Sequence, residues 1–455
     1  MQRQVANDLE QWMRSKSLRP LVLRGARQTG KTWLVENLGT RPETQVAVLN
    51  FERDPALAAA FASNHPATIV AELEVLLRQS IQPGRTVLFL DEIQAAPALL
   101  AKLRWFAEEM PDLHVVAAGS LLDFALAEHE FSMPVGRVTF GHLEPMTFAE
   151  FLDAVGEERL RAAIQTASVH APLPAALHEH AARLLRDYLL VGGMPAAVAE
   201  WSSSRSFRQV TTRHRDLLAA TRDDFAKYRR RLDPVRIEKV FAALPRLVGR
   251  KFQPTQVDRD ERSQALKEAF RMLAMARVVT PVRRTAANAV PLGAEVDERY
   301  EKVCMLDVGL FATMAGIDAG ALPVDAVTRF ANHGQLAEQY VGQELRACRA
   351  FDQEPALFTW VREAKNSNAE VDYVLEVGGR VVPVEVKAGA PGTLRSLHVM
   401  VAEKQLDLAV RVGPGPLQVV STTSATSVGP ERPFRLLSVP FAMVGEIPRL
   451  VRELG

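Results

Sequence analysis

Residues Gly25-Ala-Arg-Gln-Thr-Gly-Lys-Thr32 decide the fold of the N-terminal part of this chain. They match the pattern G-x-x-x-x-G-K-[ST], and they lie between an apolar run, Leu21–Leu23, and a helical stretch, Trp33–Leu38. Glycines let the backbone bend so that its N–H groups point at phosphate oxygens, and the start of the following helix adds a partial positive charge. Strand, loop and helix therefore occur in the order that a phosphate-binding loop requires.

The chemistry of this loop predicts ATP and Mg²⁺ as ligands. Lys31 is expected to bridge the β- and γ-phosphates, and the Thr32 hydroxyl is expected to bind Mg²⁺, which prefers hard oxygen ligands. A chance glycine-rich turn is the alternative interpretation. The predicted nucleotide-binding residues are Gly25, Gln28, Thr29, Gly30, Lys31 and Thr32.

Two further apolar runs end in polar residues that complete such a site. Thr86–Leu90 reads as a buried strand and ends in Asp91 and Glu92. At the strand tip Asp91 can hold Mg²⁺ opposite Thr32, and Glu92 can orient the water that attacks the γ-phosphate. A solvated acidic loop is the alternative.

The next run, His114–Ala118, ends in Gly119 and Ser120. From this neighbouring strand tip Ser120 could contact the γ-phosphate or the attacking water. Ser120 is therefore a further candidate catalytic residue.

Short apolar runs alternate with amphipathic stretches up to Phe140, which predicts a parallel sheet covered by helices. The runs are Leu21–Leu23, Gln45–Asn50, Thr86–Leu90, His114–Ala118 and Val135–Phe140. Thr147 and Glu150 then form a Ser/Thr-x-x-Glu capping box, which indicates the start of a helical region. The fold class is thus α/β, with a P-loop domain over residues 1–147 and a helical lid over 148–232.

The pattern of predicted helices and strands changes twice in the second half of the chain. Helices at Val235–Val248 and Gln264–Ala276 precede an extended run, Val278–Arg284, so residues 233–330 are predicted to form a winged-helix-like and linker segment. A helix at Gly334–Arg349 then precedes strands at Leu357–Val361, Glu370–Val377 and Arg380–Val386. Gly378-Gly379 marks a hairpin between the last two strands. Residues 331–455 are expected to form a separate α/β domain.

Acidic and basic side chains recur at fixed places in this last domain. Asp372 lies on one strand of the hairpin, Glu385 and Lys387 lie two residues apart on the other, and Glu338 lies on the preceding helix. Residues i and i+2 of a strand face the same side. This grouping resembles the PD-(D/E)xK nuclease core, which implies that Asp372 and Glu385 bind Mg²⁺ or Mn²⁺, with Glu338 as a helical supplement, and that Lys387 positions the attacking water. The same core can also serve as an inert binding or assembly module.

Motifs along the whole chain resemble a family of bacterial and archaeal AAA-type ATPases that carry a C-terminal domain of unknown function with a nuclease-like core. The resemblance implies ATP hydrolysis by an assembly of subunits, with an arginine that reaches a neighbour's γ-phosphate; Arg137 is the candidate. A surface arginine at the start of a strand is the alternative for Arg137, and many AAA proteins carry Asn or Thr where Ser120 stands. The motifs are RGARQTGKT (Arg24–Thr32), LNFE (Leu49–Glu52), LFLDEIQ (Leu88–Gln94), AAGS (Ala117–Ser120), MPVGRV (Met133–Val138), YLLVGGMP (Tyr188–Pro195) and LDVGL (Leu306–Leu310).

Charge and composition limit the other classes of function. The net charge of the whole chain is +1, so any preference for nucleic acid must be local. Residues 205–251 carry fourteen Lys and Arg against five acids, including Arg229, Arg230 and Arg231, and this basic tract is suited to phosphate backbones. Two distant cysteines and the lack of any long apolar stretch favour a cytoplasmic protein that does not span a membrane.

These observations lead to one main hypothesis and two alternatives. The main hypothesis is a Mg²⁺-dependent AAA-type ATPase, assembled as a homo-oligomer, whose C-terminal nuclease-like domain acts on nucleic acid, with DNA expected rather than RNA. The first alternative is a nucleotide-controlled switch or scaffold whose C-terminal domain binds a partner without cleaving it. A small-molecule kinase is disfavoured by Glu92, because a water-activating acid suits hydrolysis.

Overall fold

The computed structural model describes residues 3–15, 18–41, 43–120, 122, 124, 136–226, 232–317, 334–363, 368–389, 393–426 and 428–455. Two β-sheets organise these residues. No helix in these ranges combines the length and the apolar character needed to cross a membrane.

The N-terminal sheet is parallel, as the alternation of apolar runs predicts. Its strands occur in the spatial order β2-β3-β4-β1-β5. Four of the five expected strands begin and end within one residue of their predicted bounds, and β5 begins later and ends later than predicted. The strands are β1 (Leu21–Arg24), β2 (Gln45–Asn50), β3 (Thr86–Asp91), β4 (His114–Ala118) and β5 (Thr139–His142).

Hydrophobic side chains cover both faces of this sheet, because successive residues of a strand point to opposite sides. On β1, Leu21 and Leu23 pack in one core with Trp12 and Leu34, whereas Val22 packs in the core on the other face. A β-sheet buried on both faces carries nearly continuous apolar strands, as seen here. The flanking helices include α1 (Val5–Met13), α2 (Lys31–Glu36), α3 (Pro66–Leu77) and α4 (Leu99–Glu109).

A helical region follows, and it begins at the predicted capping box. The Thr147 side chain accepts a hydrogen bond from the Glu150 backbone N–H, and the Glu150 carboxylate accepts one from the Thr147 backbone N–H. Both contacts satisfy N–H groups that a helix start leaves without partners. The helices are α5 (Phe148–Ala154), α6 (Glu158–Thr166), α7 (Ala175–Val191), α8 (Pro195–Ser204), α9 (Phe207–Phe225), α10 (Pro234–Leu247), α11 (Pro254–Val257) and α12 (Ser263–Met275).

The second sheet has eight strands, and it crosses the domain boundary expected near residue 330. Strands β6 (Val279–Thr285) and β7 (Val296–Met305) form a hairpin, and β6 pairs in parallel with β8 (Leu357–Arg362). The extended run Val278–Arg284, expected to belong to a winged-helix-like and linker segment, is therefore hydrogen-bonded into the C-terminal sheet. The other strands are β9 (Ala369–Val377), β10 (Arg380–Val386), β11 (Leu408–Gly413), β12 (Gln418–Thr423) and β13 (Pro433–Pro440).

Helices also accompany this sheet. Helix α13 (Val308–Met314) directly follows β7, and α14 (Gly334–Ala347) precedes β8. The chain ends with α15 (Arg395–Lys404) between β10 and β11, and α16 (Ile447–Glu453) after β13.

One hydrophobic core joins the helical region to the C-terminal sheet. It contains Phe151 of α5, Tyr188 of α7, Tyr340 of α14 and Val384 of β10. The helices expected to act as a lid over the P-loop domain thus share their interior with the C-terminal half of the chain. A movement of the lid would therefore affect the packing of both.

Helix α14 lies at the centre of this core, and several of its buried residues are polar. The Gln339 side chain accepts from the Met305 backbone N–H at 2.7 Å and donates to the Met305 carbonyl at 2.8 Å. Gln343 accepts from the Val308 backbone N–H at 2.7 Å and donates to the Tyr188 hydroxyl at 2.9 Å. These bonds satisfy the buried amides and fix α14 against both β7 and α7.

Glu344 extends the same row of contacts to the helical region. Its Oε1 accepts from the Phe148 backbone N–H at 2.9 Å and lies 3.5 Å from the Tyr188 hydroxyl. Burial raises the pKa of Glu344 to about 8, the hydrogen bond from Phe148 opposes this shift, and the nearby Glu150 adds to it. The carboxyl group is therefore easier to keep protonated in the folded chain than in the unfolded chain.

Replacement of Glu344 by Gln should change how stability depends on pH. Because the folded pKa of about 8 lies above the ordinary value of 4.5, the folded chain loses stability as pH rises through this interval. Glu344→Gln keeps an oxygen acceptor and cannot ionise, so its free energy of unfolding should fall less with pH. At alkaline pH it should exceed the parent's by an amount on the order of a few kcal/mol. Urea unfolding over this pH range measures the difference.

Glu431→Gln, at an exposed position, is the matched control and should leave the pH profile unchanged. Parallel profiles for the parent and Glu344→Gln would show that the Glu344 carboxyl ionises normally.

Candidate functional site

The phosphate-binding loop has the backbone that its glycines permit. Gly30 has φ 92° and directly precedes α2, and Gln28 also has a positive φ, 63°. A Cβ at Gly25 would lie 2.5 Å from the Leu143 carbonyl oxygen, a distance that no side chain tolerates. The loop therefore requires glycine at position 25 for space and at position 30 for conformation.

Lys31, the first residue of α2, points back into the loop. Its Nζ donates to the carbonyl oxygens of Gly25 at 3.0 Å and Ala26 at 2.7 Å. Burial lowers the pKa of Lys31 to about 8, and the nearby carboxylates of Glu92 and Asp91 oppose that shift. The ammonium is thus enclosed by the loop whose phosphate ligand it is predicted to contact.

Asp91 lies at the end of β3, next to Thr32. The Thr32 hydroxyl lies 3.3 and 3.2 Å from the two carboxylate oxygens, and the Asn50 side-chain amide donates to Oδ2 at 3.0 Å. Asn50 is brought there by sheet register, because β2 pairs with β3 so that Asn50 lies opposite Asp91. Burial raises the pKa of Asp91, and the adjacent Glu92 raises it further. Hydroxyl and carboxylate oxygens so placed are the ligands that Mg²⁺ prefers.

Glu92 is held in a left-handed backbone conformation, with φ 51° and ψ 43°. Such a conformation costs on the order of 1–3 kcal/mol in a residue other than glycine, and it is concentrated at functional sites. The Gln94 side chain donates to the Glu92 carboxylate. Gln94 also packs on Gly119, where an added Cβ would lie 2.2 Å from its Oε1.

The tip of β4 follows the same edge of the sheet. Ser120 is buried there, and β4 lies between β1, which leads into the phosphate loop, and β3, which carries Asp91. The structure thus brings Lys31, Thr32, Asp91, Glu92 and Ser120 to one edge. Parallel sheets bind their ligands at this carboxyl edge.

A cavity of about 720 Å³ opens beside the start of α2. Trp33, which is 43% exposed, lines it together with Asn7 of α1, Asn37 and Arg161 of α6. An aromatic face and side-chain amides beside a phosphate loop can accommodate a planar polar ring.

Two arginines that the sequence patterns did not single out fasten the loop to the rest of the chain. Arg3 donates to the Thr29 carbonyl at 2.8 Å and pairs with Glu150 at 3.0 Å. Arg27 pairs with Asp224 of α9. Each contact joins residues that are far apart in sequence, so no local sequence pattern predicts it. Gln94 and Asn50, also missed, lie inside the quoted motifs LFLDEIQ and LNFE.

Arg137 lies outside this cluster in its own chain. It is 54% exposed and pairs with Glu108 of α4 at 3.0 Å. Met133, Pro134 and Val135 of its motif lie outside the described residues. The exposure leaves the guanidinium accessible to another molecule.

Two of the family motifs, YLLVGGMP (Tyr188–Pro195) and LDVGL (Leu306–Leu310), contact each other in the structure. Asp307 caps α13 by accepting from the backbone N–H groups of Gly309 and Leu310, and its other carboxylate oxygen accepts from the Gly193 N–H at 2.6 Å. A Cβ at Gly193 would lie 2.0 Å from the Met146 carbonyl oxygen. The glycine pair after α7 is therefore needed for close packing on Asp307 and on the Met146 backbone.

The C-terminal acids also come together, but with a lysine among them. The Val386 N–H donates to Asp372 Oδ2 at 2.8 Å, which brings Asp372 beside the strand that carries Glu385. Lys387 pairs with Glu385 at 2.8 Å. Glu338 pairs at 2.6 Å with Lys302 of β7, a residue that the sequence patterns did not single out.

Burial shifts the ionisation of this cluster strongly. The pKa of Glu338 and that of Glu385 both rise to about 7 through burial; Lys302 opposes the shift at Glu338, and Asp372 adds to that at Glu385. Burial also raises the pKa of Asp372. Within the described ranges, no group of three or more His, Cys, Asp or Glu side chains has the arrangement of a metal site.

Much of the expected basic tract is compensated by acids. Arg213 pairs with Glu200, Arg222 with Glu238, and Arg236 with Glu261, each at 3.0 Å. Arg229, Arg230 and Arg231 lie outside the described residues. Because Glu200 and Glu261 lie outside the tract, the local excess of positive charge is smaller than the sequence count indicates.

Three families match successive parts of the chain. Residues 17–152 match an AAA domain, residues 182–321 match a domain of unknown function, DUF8612, and residues 333–428 match another, DUF4143. No curated protein matches the sequence.

Several solved structures are similar to the chain at low identity. The Walker-type ATPase of Pyrococcus abyssi is 13% identical, covering 68% of this chain and 94% of its own, with a TM-score of 0.41. The Aeropyrum pernix ORC2 protein is 13% identical, with coverages of 69% and 91% and a TM-score of 0.35. The Thermotoga maritima RuvB Holliday junction branch migration motor is 17% identical, with coverages of 67% and 92% and a TM-score of 0.29.

The family match covers the parallel sheet and the phosphate loop, where the geometry was described above. Residues 17–152 thus have an AAA-type ATPase-like fold, and the families that match the rest of the chain are of unknown function.

Proposed function

We propose that the N-terminal site binds ATP with Mg²⁺ and hydrolyses it. The observation that carries this proposal is the position of the Asp91 carboxylate, between the Thr32 hydroxyl and the Asn50 amide at the edge where the phosphate loop lies. Thr32 and Asp91 would hold the cation, which supplies charge neutralisation at the phosphates. Lys31 and the loop N–H groups would hold the β- and γ-phosphates.

Glu92 is the proposed group that orients the attacking water. Its carboxylate is held by Gln94, so that the side chain does not have to be ordered when substrate binds. Ser120, at the adjacent strand tip, would contact the γ-phosphate or the same water. The cavity lined by Trp33 is the proposed place of the adenine base, which is planar and carries polar edges.

Contacts from the site to α14 support a coupling of the ATPase domain to the C-terminal domain. Arg3 binds the Thr29 carbonyl of the loop and donates to the Glu144 carbonyl at 2.6 Å. The Glu144 carboxylate pairs with Arg346 of α14, which is buried. Nucleotide binding at the loop would act on this continuous set of hydrogen bonds, and we propose that the C-terminal domain responds to it.

Substitutions at Lys31 and Glu92 should separate binding from hydrolysis. Lys31→Ala should abolish ATP binding, because it removes the charge that contacts phosphate, whereas Glu92→Gln should bind ATP and turn over at least about a hundredfold more slowly. Isothermal titration and phosphate release measure the two effects. Glu36→Gln, an exposed change on α2, should alter neither. ATP binding by Lys31→Ala at the parent's affinity would contradict the assignment of the loop.

The exposed Arg137 leads to a test of assembly. If Arg137 acts in a neighbouring subunit of a homo-oligomer, Arg137→Ala should bind ATP normally and hydrolyse it poorly. Mixing it with Glu92→Gln protein should restore activity, because some interfaces then combine an intact arginine with an intact glutamate. Arg104→Ala, which removes the other arginine on Glu108, is the matched control. Full turnover by Arg137→Ala alone would exclude this role.

A metal-dependent nuclease acting on nucleic acid is the second candidate function, located in the C-terminal domain. Two observations favour it: Asp372 lies beside the strand that carries Glu385, and Glu385 Oε2 is a buried oxygen without a hydrogen-bond partner in the described part of the chain. Lys387 would position the attacking water. The alternative, a switch or scaffold that binds a partner without cleaving it, requires no metal at these acids.

Cleavage of DNA, or of RNA, by the purified chain distinguishes the two. The nuclease predicts cutting that needs Mg²⁺ or Mn²⁺, stops with EDTA, and is lost in Asp372→Asn and Glu385→Gln, while Lys387→Ala binds nucleic acid and cuts slowly. Glu376→Gln, an exposed change on β9, should leave cutting intact. If no single- or double-stranded substrate is cut with ATP and either metal, the switch or scaffold replaces the nuclease.

A further inference from the structure

Lys302 is a buried lysine whose ammonium lies among three carboxylates. Its side chain is 1% exposed, and its Nζ is 2.6 Å from Glu338 Oε1, 2.8 Å from Glu370 Oε1 and 3.9 Å from Asp372 Oδ1. Burial alone would lower its pKa, but Glu338, Asp372 and Glu370 together raise the pKa well above its ordinary value. The ammonium is therefore a permanent positive charge in the centre of the acidic cluster.

The cluster is assembled from two parts of the chain. Lys302 belongs to β7, whereas Glu338 lies on α14, and Glu370 and Asp372 lie on β9. A buried ion pair is tolerated only when its charges are matched and its geometry is good. Gly249, in the turn after α10, lies directly against Glu338, since a Cβ there would lie 2.4 Å from Glu338 Oε2.

A divalent ion and this ammonium compete for one set of oxygens. Mg²⁺ binds oxygens at about 2.0–2.1 Å and requires several of them in near-octahedral geometry. Glu338 and Asp372, two of the acids predicted to bind metal, already face Lys302 Nζ. A metal bridging these two carboxylates would be placed beside a like charge in a buried, low-dielectric position, where repulsion is strong.

We propose that the Lys302 ammonium is the resident cation of the C-terminal acidic cluster, taking the position that a divalent ion would occupy between Glu338 and Asp372. In this arrangement the ion pairs of Lys302 hold β7 against α14 and β9. The ammonium also prevents a divalent metal ion from binding. This inference goes beyond the ATPase activity and does not depend on it. It bears on the second candidate function, because a metal-dependent nuclease would first have to displace Lys302.

Removal of the ammonium should convert the cluster into a metal site. In Lys302→Met the side chain keeps its length and loses its charge, so Glu338, Glu370 and Asp372 have no cation to neutralise them. A divalent ion, which prefers carboxylate oxygens, can then supply the positive charge that the ammonium gave.

Mn²⁺ binding, followed by electron paramagnetic resonance without nucleotide, tests this in the full chain carrying Asp91→Asn, which removes the metal ligand of the ATPase site. Lys302→Met in this background should gain one Mn²⁺ per chain, bound at least about tenfold more tightly than by the background chain. The gain should be lost again on adding Asp372→Asn. Lys387→Met, which removes the partly exposed lysine of the same cluster, is the matched control and should gain no comparable site.

Two results would overturn the proposal. One is stoichiometric Mn²⁺ binding by the Asp91→Asn chain with Lys302 intact, lost on adding Asp372→Asn. The other is a folded Lys302→Met chain that gains no Mn²⁺.

If Lys302→Met does not fold, the melting temperature of the Asp91→Asn chain decides. A melting temperature that Mn²⁺ leaves unchanged supports the proposal that Lys302 occupies the cation position. A rise in melting temperature with Mn²⁺ that is lost on adding Asp372→Asn contradicts the proposal. Neither readout requires ATP hydrolysis, so a failure of the proposed ATPase activity would remain distinguishable.

Discussion

The hydrogen bonds made by one buried helix, α14, constrain the rest of the structure. Gln339, Gln343 and Glu344 satisfy backbone groups of β7, α13 and α5 respectively. A buried polar side chain without a partner costs free energy, so each of these residues is tolerated only when its own segment of the chain is in place. The helix therefore stabilises the lid, the β6–β7 hairpin and the C-terminal sheet as one assembly, and a shared hydrophobic core supports the same arrangement.

This constraint reaches the nucleotide site through charged side chains. Arg346, at the end of α14, pairs with Glu144, and Arg3 links the Glu144 backbone to the phosphate loop. Arg27 of the loop pairs with Asp224 of α9 on the lid side. The loop that would receive phosphates is thus held from two directions by residues outside the AAA sheet. A continuous set of contacts of this kind can couple two sites. The strength of that coupling depends on whether the contacts can switch between two alternative arrangements.

The C-terminal acidic cluster contains a residue, Lys302, that the sequence motif does not include. Asp372, Glu385 and Lys387 have the sequence spacing from which a metal-dependent nuclease core is predicted, and the β9–β10 hairpin brings Asp372 beside the strand of Glu385. Lys302, contributed by β7, adds a fixed positive charge against Glu338 and Glu370. In the arrangement that we propose, electrostatic repulsion from this ammonium opposes a divalent ion at the same oxygens.

Local patterns in the sequence determined the secondary structure and the position of the phosphate site. The loop from Gly25 to Thr32, the strand before Asp91, the capping box at Thr147 and the hairpin at Gly378 each depend on residues only a few positions apart. Glycine conformation, hydrophobic periodicity and helix capping act over that distance, so these elements could be predicted. Their residue types also sufficed to indicate ATP and Mg²⁺.

Tertiary structure alone decided which distant side chains complete the sites and where the domains meet. Asn50 reaches Asp91 through the register of two strands, and Lys302 reaches Glu338 because β7 packs beneath α14. The β6–β7 hairpin joins the C-terminal sheet through backbone hydrogen bonds, which carry no sequence signature. In each case the deciding energy comes from contacts between residues tens or hundreds of positions apart, and composition and spacing along the chain do not encode these pairings.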